Sequence, residues 1–383
     1  MKSPPSLEAL LKEEIQEKGA ISFSRFMERA LYEPDIGYYS SRRALIGKAG
    51  DFYTNVSVGA IFGKIICEQL LEIWSAMNSP ARFTIVEQGA FDGQLAEDIL
   101  SHAHEYNASF FAALTYRITE PFPRLQKAQS ERLSAFSKKM EWIADLAESP
   151  EIEGAFLCNE LVDAMPVELV EWDGLTWKER RVVWTGDSFA FALHPVESPA
   201  LAHRLSKIPQ PQEAGYQTEV NLQFEPWIQN LGKKLHSGYA LLCDYGYSRS
   251  NYYAARRREG TLSCYSNHRR SYDALTEPGS KDITAHVDFT SLAESARAAG
   301  LMVAGFSDQH RFLVGAAEKF LNRVENSDIT KGIQKDLRGL QTLLHPETMG
   351  RAFHYLGLSR GMDITLSGFR HTPQGIQSLD AED

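Results

Sequence analysis

The stretch Phe83-Thr-Ile-Val-Glu-Gln-Gly-Ala-Phe-Asp-Gly93 constrains the fold of this chain more than any other. Phe83, Ile85 and Val86 make a short buried strand, glycines follow, and Leu95, Ala96, Ile99, Leu100 and Ala103 then recur at helical spacing. A strand, a tight turn and a helix in that order aim backbone N–H groups and the positive end of a helix dipole at whatever lies over the strand's carboxyl edge. The pattern repeats: a strand-like run Leu114–Thr119, a helix from Pro123, short strands at Met140–Ile143 and Ala155–Cys158, and a later strand Tyr239–Cys243. Such alternation predicts an α/β fold around a mostly parallel sheet with right-handed crossovers, its ligands at the carboxyl edge.

The spacing narrows the ligand. A dinucleotide turn requires G-x-G-x-x-G, whereas Gly89 and Gly93 stand four apart with Glu87 two before the first, which disfavours nicotinamide. An acid at the strand end, glycines in the turn and a second strand-end acid roughly thirty positions on suit S-adenosyl-L-methionine. Glu120 closes the second strand, where its carboxylate can accept both ribose hydroxyls. Asp145, just past the third strand, stands where an acid can accept an adenine amino group, and Asn159 ends the fourth. An ordinary βα turn with a strand-end Glu accounts for the same residues, and Asp145 reads equally as a surface acid.

Length and composition set the outer bounds. A chain of 383 residues, 43% apolar, is expected to hold one large core with substantial additions. It contains no uninterrupted apolar span of about 18 residues, and its start, Met1-Lys-Ser-Pro-Pro5, lacks a signal or transit pattern, so a cytoplasmic protein without a membrane partner is expected. A net charge of −10 argues against tracking nucleic-acid phosphates. Cys67, Cys158, Cys243 and Cys264 show no C-x-x-C pairing and read as reduced thiols, with no metal site.

The expected division has three parts. Residues 1–80 form a helical N-terminal arm, whose loop from Gly50 to Ser57 lies across the cofactor and supplies Asp51 and Thr54. A Gly-Asp turn capping the next helix accounts for that loop equally well. Residues 81–315 form the core, with a period-two antiparallel meander inserted at about 167–195 and an aperiodic lid at about 247–282. Residues 316–383 form a mainly helical C-terminal region whose tail, from Asp363, is expected to fray.

With these segments in place, the chain resembles the MidA-like family, the mitochondrial complex I assembly methyltransferases and their bacterial relatives. The matching stretches are Tyr32-Glu-Pro-x-x-Gly-Tyr-Tyr39, Gly50-Asp-Phe-x-Thr54, Phe62-Gly63, Glu87-x-Gly89-x-x-x-Gly93, Asn159-Glu-x-x-Asp-Ala-x-Pro166, Asp244-Tyr-Gly246, Gly260-Thr-Leu262 and Asp282-Ile-Thr-Ala-His-Val-Asp-Phe289. The resemblance implies a class I methyltransferase, Rossmann-like fold with S-adenosyl-L-methionine as donor. For mitochondrial members it also implies an arginine of a protein as acceptor. The chain departs from the family where the turn commonly reads E-x-G-x-G-x-G: Phe91 stands at the middle glycine. A side chain there crowds the closest backbone approach to the cofactor, so the loop must take another path or the ring must turn away.

Two acceptor chemistries place different demands on the chain. A guanidinium requires carboxylates that orient its planar fork and keep the attacking nitrogen's lone pair available. Glu160 and Asp163 after the fourth strand and Asp244 after the fifth are the candidates; capping of a helix N-terminus is the structural alternative for the first two. A hydroxyl of a small molecule requires a general base, and His286 is the first candidate, with His268 in the lid second. A non-catalytic assembly protein that keeps the fold is the third reading, prompted by Phe91.

Overall fold

The structure, a computed structural model, describes residues 5–41, 54–211, 213–266, 269–326, 328–372 and 374–380. Helices α1 (Leu7–Lys18), α2 (Phe23–Tyr32) and α3 (Ile61–Ala76) precede a central sheet whose first crossover helix is α4 (Gln94–Tyr106). The sheet's main strands are β1 (Phe83–Gln88), β2 (Leu114–Thr119), β3 (Met140–Ile143), β4 (Ile152–Asn159), β5 (Leu235–Tyr247), β6 (Met302–Asp308) and β7 (Phe353–Arg360). Their order is β6-β7-β5-β4-β1-β2-β3, with β1 to β5 parallel and β7 antiparallel to both neighbours. Helices cover both faces, which is why β4 reads as an unbroken apolar run with Ala155 to Cys158 all buried. One face packs α3, α4 and the helices Gln309–Ala316 and Lys331–Leu344; the other packs Phe224–Lys234 and Phe289–Ala298. Strand order reverses between β1 and β4, which opens a crevice at the sheet's carboxyl edge.

Three additions join the core, and two of them, the arm and the lid, roof that crevice. The insert is larger than the expected meander: Tyr216–Val220 joins Glu168–Trp172, Trp177–Trp184 and Phe189–Pro195 in a four-stranded antiparallel sheet. The added strand pairs with Glu168–Trp172 across an intervening helix, Pro199–Leu205, so no local hairpin signal marks it. The lid is not aperiodic: Arg269–Ser271, Ser263–Ser266 and Asp282–Thr284 form a small antiparallel sheet. α2 holds arm and insert together, with Phe26 edge-on to Phe189 at 5.5 Å and Phe23 beside Phe191 at 5.8 Å between ring centres. Leu31 and Tyr38 of the arm, Val167 and Val182 of the insert, and Cys264 and Ile283 of the lid share one apolar cluster.

The C-terminal region contains the expected helices and also returns β7 to the sheet. Phe353, Tyr355, Leu356 and Leu358 are buried on both faces of β7, so the strand shows no alternation. The tail does not fray up to residue 380: Leu366, Phe369 and Leu379 are buried, and Phe369 packs edge-on to Phe312 at 5.1 Å. All four cysteines are free and buried. No helix among the described residues is long and apolar enough to cross a membrane.

Candidate active site

A cavity of about 1410 Å³ lies over the carboxyl edges of β1, β2 and β4, roofed by α2, the segment after it and the lid sheet. The β1–α4 turn forms part of its floor. Gly89 and Gly93 both have φ of +83°, and a Cβ on Gly89 would press on the Leu161 side chain at 3.3 Å. Gly93 is the N-cap of α4 and shapes the turn without lining the cavity. Phe91 takes φ of +46°, so the backbone keeps a glycine-like path. Its ring packs against the apolar cluster shared by the arm, the insert and the lid, and lines the cavity wall. The substitution is thus accommodated by side-chain placement, at the cost of left-handed backbone in a non-glycine residue.

Glu87 and Glu120 both line the cavity and both are buried. Burial pushes each carboxyl up to about 7, against the Tyr116 hydroxyl donating to Glu87 at 2.7 Å. Glu120 accepts from the Phe122 N–H at 2.9 Å through one oxygen and from Gln129 Nε2 at 3.1 Å through the other. Both oxygens are therefore fixed in position, and each retains acceptor capacity, as recognition of two adjacent hydroxyls requires. Pro121, Phe122 and Leu125 add an apolar wall beside Glu120. A purine nucleoside fits this pairing of acid and apolar surface. Thr54 lines the cavity in a reciprocal turn with Ser57, and Asn159 lines it while donating to Glu160 at 2.7 Å. Asp145 is exposed and accepts from its neighbour Ala147 N–H at 2.7 Å; it is not among the residues lining the cavity, which favours its surface reading over an adenine contact. Asp51 and His268 lie outside the described residues.

The far side of the cavity is acidic, but the trio differs from the expected one. Glu160 and Asp163 line it, whereas Asp244 does not. One Asp244 oxygen accepts the N–H groups of Leu161 (3.2 Å), Val162 (2.8 Å) and Asp163 (3.2 Å), and the other accepts that of Tyr245 (2.8 Å). Asp244 is therefore a positioning residue that cages the turn bearing Glu160 and Asp163. That turn needs a cage, because Glu160 sits at φ of +55°, in the sparsely populated left-handed region. Asp282 completes the trio instead: it is buried, lines the cavity and accepts from Tyr39 Oη at 2.8 Å. Its signal was present in the Asp282–Phe289 stretch, as Tyr32 and Tyr39 were in the Tyr32–Tyr39 stretch, but neither stretch assigns a direction to a side chain.

Burial and mutual repulsion raise the carboxyls of this corner. Burial pushes Glu160 up to about 8, with Asp244 and Asp282 adding repulsion against hydrogen bonds from Asn159 and from the Asn55 N–H at 3.2 Å. Burial, then Asp244, Asp282 and Glu160, raise Asp163 well above the usual carboxylate range. Tyr32 and Tyr39, stacked at 5.6 Å, and Tyr245 and Tyr265 supply aromatic walls. His286 also lines the cavity, packed near Tyr245 and Tyr247. Burial and the nearby Arg270, Arg257 and His354 lower it to about 4, so it is neutral and weakly basic.

Comparison with known proteins places this geometry. The Methyltransf_28 family model, which describes S-adenosyl-L-methionine-dependent methyltransferases, matches residues 65–307. The chain belongs to this family. A Burkholderia thailandensis protein solved bound to S-adenosyl-homocysteine superposes with a TM-score of 0.86 at 30% identity, covering 97% of both chains. The protein arginine methyltransferase NDUFAF7 homolog of Drosophila melanogaster is 28% identical over 93% of this chain and 85% of its own length. The human mitochondrial protein arginine methyltransferase NDUFAF7 is 26% identical over 90% of this chain and 81% of its own. The chain is thus a class I methyltransferase that uses S-adenosyl-L-methionine.

Proposed function

We propose that this methyltransferase transfers its methyl group to an arginine side chain of a protein. The observation that carries this reading is the trio Glu160, Asp163 and Asp282 on one wall of the cavity, faced by tyrosine rings. Carboxylates match the fork of a guanidinium, and aromatic faces favour its delocalised charge. The names of the NDUFAF7 relatives support the same acceptor.

The bound donor supplies a sulfonium methyl, which the nucleophile must approach in line, so positioning carries much of the rate. Glu160 and Asp163 hold the guanidinium fork and turn one nitrogen's lone pair toward the methyl carbon. Bound there, the donor would give its methyl to that nitrogen, the bonding electron pair staying on sulfur as a neutral thioether. The methylated guanidinium sheds one N–H proton, and Glu160, raised to about 8, is suited to accept it. Tyr39 fixes Asp282 through its hydroxyl. His286 is a poor base for a hydroxyl acceptor, being lowered to about 4.

Radiolabelled methyl transfer into a cell lysate, followed by acid hydrolysis of the protein fraction, tests the proposal. Label recovered as methylarginine is expected. Label confined to the small-molecule fraction would instead favour a hydroxyl acceptor, with His286→Ala as its diagnostic variant.

A further inference from the structure

A second acidic position on the cavity takes no part in the chemistry above. Asp98, on the second turn of α4, lines the cavity with Gln94 and Leu95 although it is only 8% exposed. One oxygen accepts from Gln94 Nε2 at 3.0 Å; the other is buried without a hydrogen-bond partner. Buried carboxylate oxygens are ordinarily satisfied, so one left open beside a cavity points to a missing donor. The neighbouring cations are engaged elsewhere: Lys64 pairs with Asp336 at 2.6 Å, and Arg132 with Asp92 at 2.6 Å and Glu97 at 2.9 Å. Burial accordingly raises Asp98 to about 6.

The surroundings specify more than a cation. α3 crosses α4 at this point so closely that a Cβ on Gly63 would come within 2.4 Å of the Asp98 Cβ. This brings the start of α3 to the same end of the cavity, where Ser57, Gly59 and Ala60 line the wall. α3 is 16 residues long, and its N-cap Ala60 makes no side-chain capping bond. A helix N-terminus without a side-chain cap favours an anion, and a desolvated carboxylate favours an ammonium. A positive and a negative group this close together describe the zwitterion of an α-amino acid.

We infer that Asp98 and the N-terminus of α3 bind the amino-acid end of the cofactor, Asp98 taking the ammonium and α3 the carboxylate. This assignment rests on S-adenosyl-L-methionine dependence and adds the residues that read the donor's amino-acid half. It makes Asp98 a cofactor-binding residue on a helix, beyond the strand-end acids. It also gives Gly63 a role, since any side chain there would displace Asp98.

Calorimetric titration with three ligands tests the inference: S-adenosyl-homocysteine, its deaminated analogue, and 5′-methylthioadenosine, which lacks the amino-acid end. Asp98→Asn keeps an oxygen for Gln94 but turns an amide toward the ammonium. It should weaken S-adenosyl-homocysteine between about tenfold and a hundredfold, the range for one charge-assisted hydrogen bond. Binding of 5′-methylthioadenosine should stay within about twofold. Equal losses for both ligands, or no loss for either, would overturn the assignment. Should the variant not fold, wild-type protein decides alone: the deaminated analogue must bind at least about tenfold more weakly than S-adenosyl-homocysteine, and equal affinity refutes the role of Asp98. Failure of wild-type protein to bind S-adenosyl-homocysteine would overturn cofactor dependence itself, a distinct outcome.

Discussion

Replacing Glu160 by Gln separates catalysis from stability at a single atom. The hydrogen bonds to this side chain from Asn159 Nδ2 and the Asn55 N–H end on the same carboxylate oxygen, so a glutamine carbonyl can keep both. What the substitution removes is charge. The carboxyl moves from 4.5 to about 8 on folding, so the fold holds it protonated at pH 5 and must bear its ionisation by pH 8, while the unfolded chain is ionised over most of that range. A raised folded pKa therefore contributes stability at low pH that is lost as pH rises. At about 1.4 kcal/mol per unit, the wild-type fold is weaker by about 3 kcal/mol at pH 8 than at pH 5 through this group alone. The glutamine escapes that loss. With an unfolding entropy of about 2.1 cal/mol/K per residue over 383 residues, the variant should melt about 5 °C higher than wild type at pH 8, and about 1 °C higher at pH 5. Methyl transfer to arginine should fall by about a hundredfold or more, the scale of a lost general base. Thermal melts at both pH values and labelled transfer on the same preparations measure the two effects. Transfer within threefold of wild type, or a melting difference independent of pH, would refute the reasoning.

Other outcomes follow from the same geometry. Asp244→Ala leaves four backbone N–H groups without their acceptor and should destabilise by about 4 kcal/mol. Because Asp244 touches the turn and not the cavity, kcat should fall while S-adenosyl-homocysteine affinity, read by calorimetry, stays within about threefold; equal loss of both would place it in the binding site. Phe91→Gly should leave S-adenosyl-homocysteine affinity within about threefold, since the backbone already follows a glycine path; a tenfold gain would show that the ring obstructs the cofactor. A sulfonium favours the ionised forms of Glu87 and Glu160, raised to about 7 and 8, so donor binding should release protons near pH 7 and strengthen as pH rises from about 6 to 8. Titrations in buffers of differing ionisation enthalpy check this, and proton uptake on binding would contradict it.

The sheet was legible because its signals are local. β1 to β4 and their crossover helices each announce themselves through apolar runs and turns, and the strand-end acids Glu87 and Glu120 follow from position along a strand. β7 was not legible, because a central strand buried on both faces has no period and its partners lie far away in sequence. The strand Tyr216–Val220 was missed for the same reason of non-local pairing.

Among acids, the sequence by itself determined which ones stand at the sheet's carboxyl edge, since strand ends can be counted. Only the tertiary structure decided where each carboxylate points. Asp244 and Asp282 look alike as residues of short motifs, but three N–H groups of one turn draw Asp244 away from the cavity, and the lid sheet carries Asp282 into it. Asp145 turns back onto its own backbone. Asp98 reads as an ordinary helix residue until α3 crosses α4 at Gly63 and leaves one oxygen buried at the cavity wall. Direction is set by what a side chain packs against, and those neighbours come from distant parts of the chain.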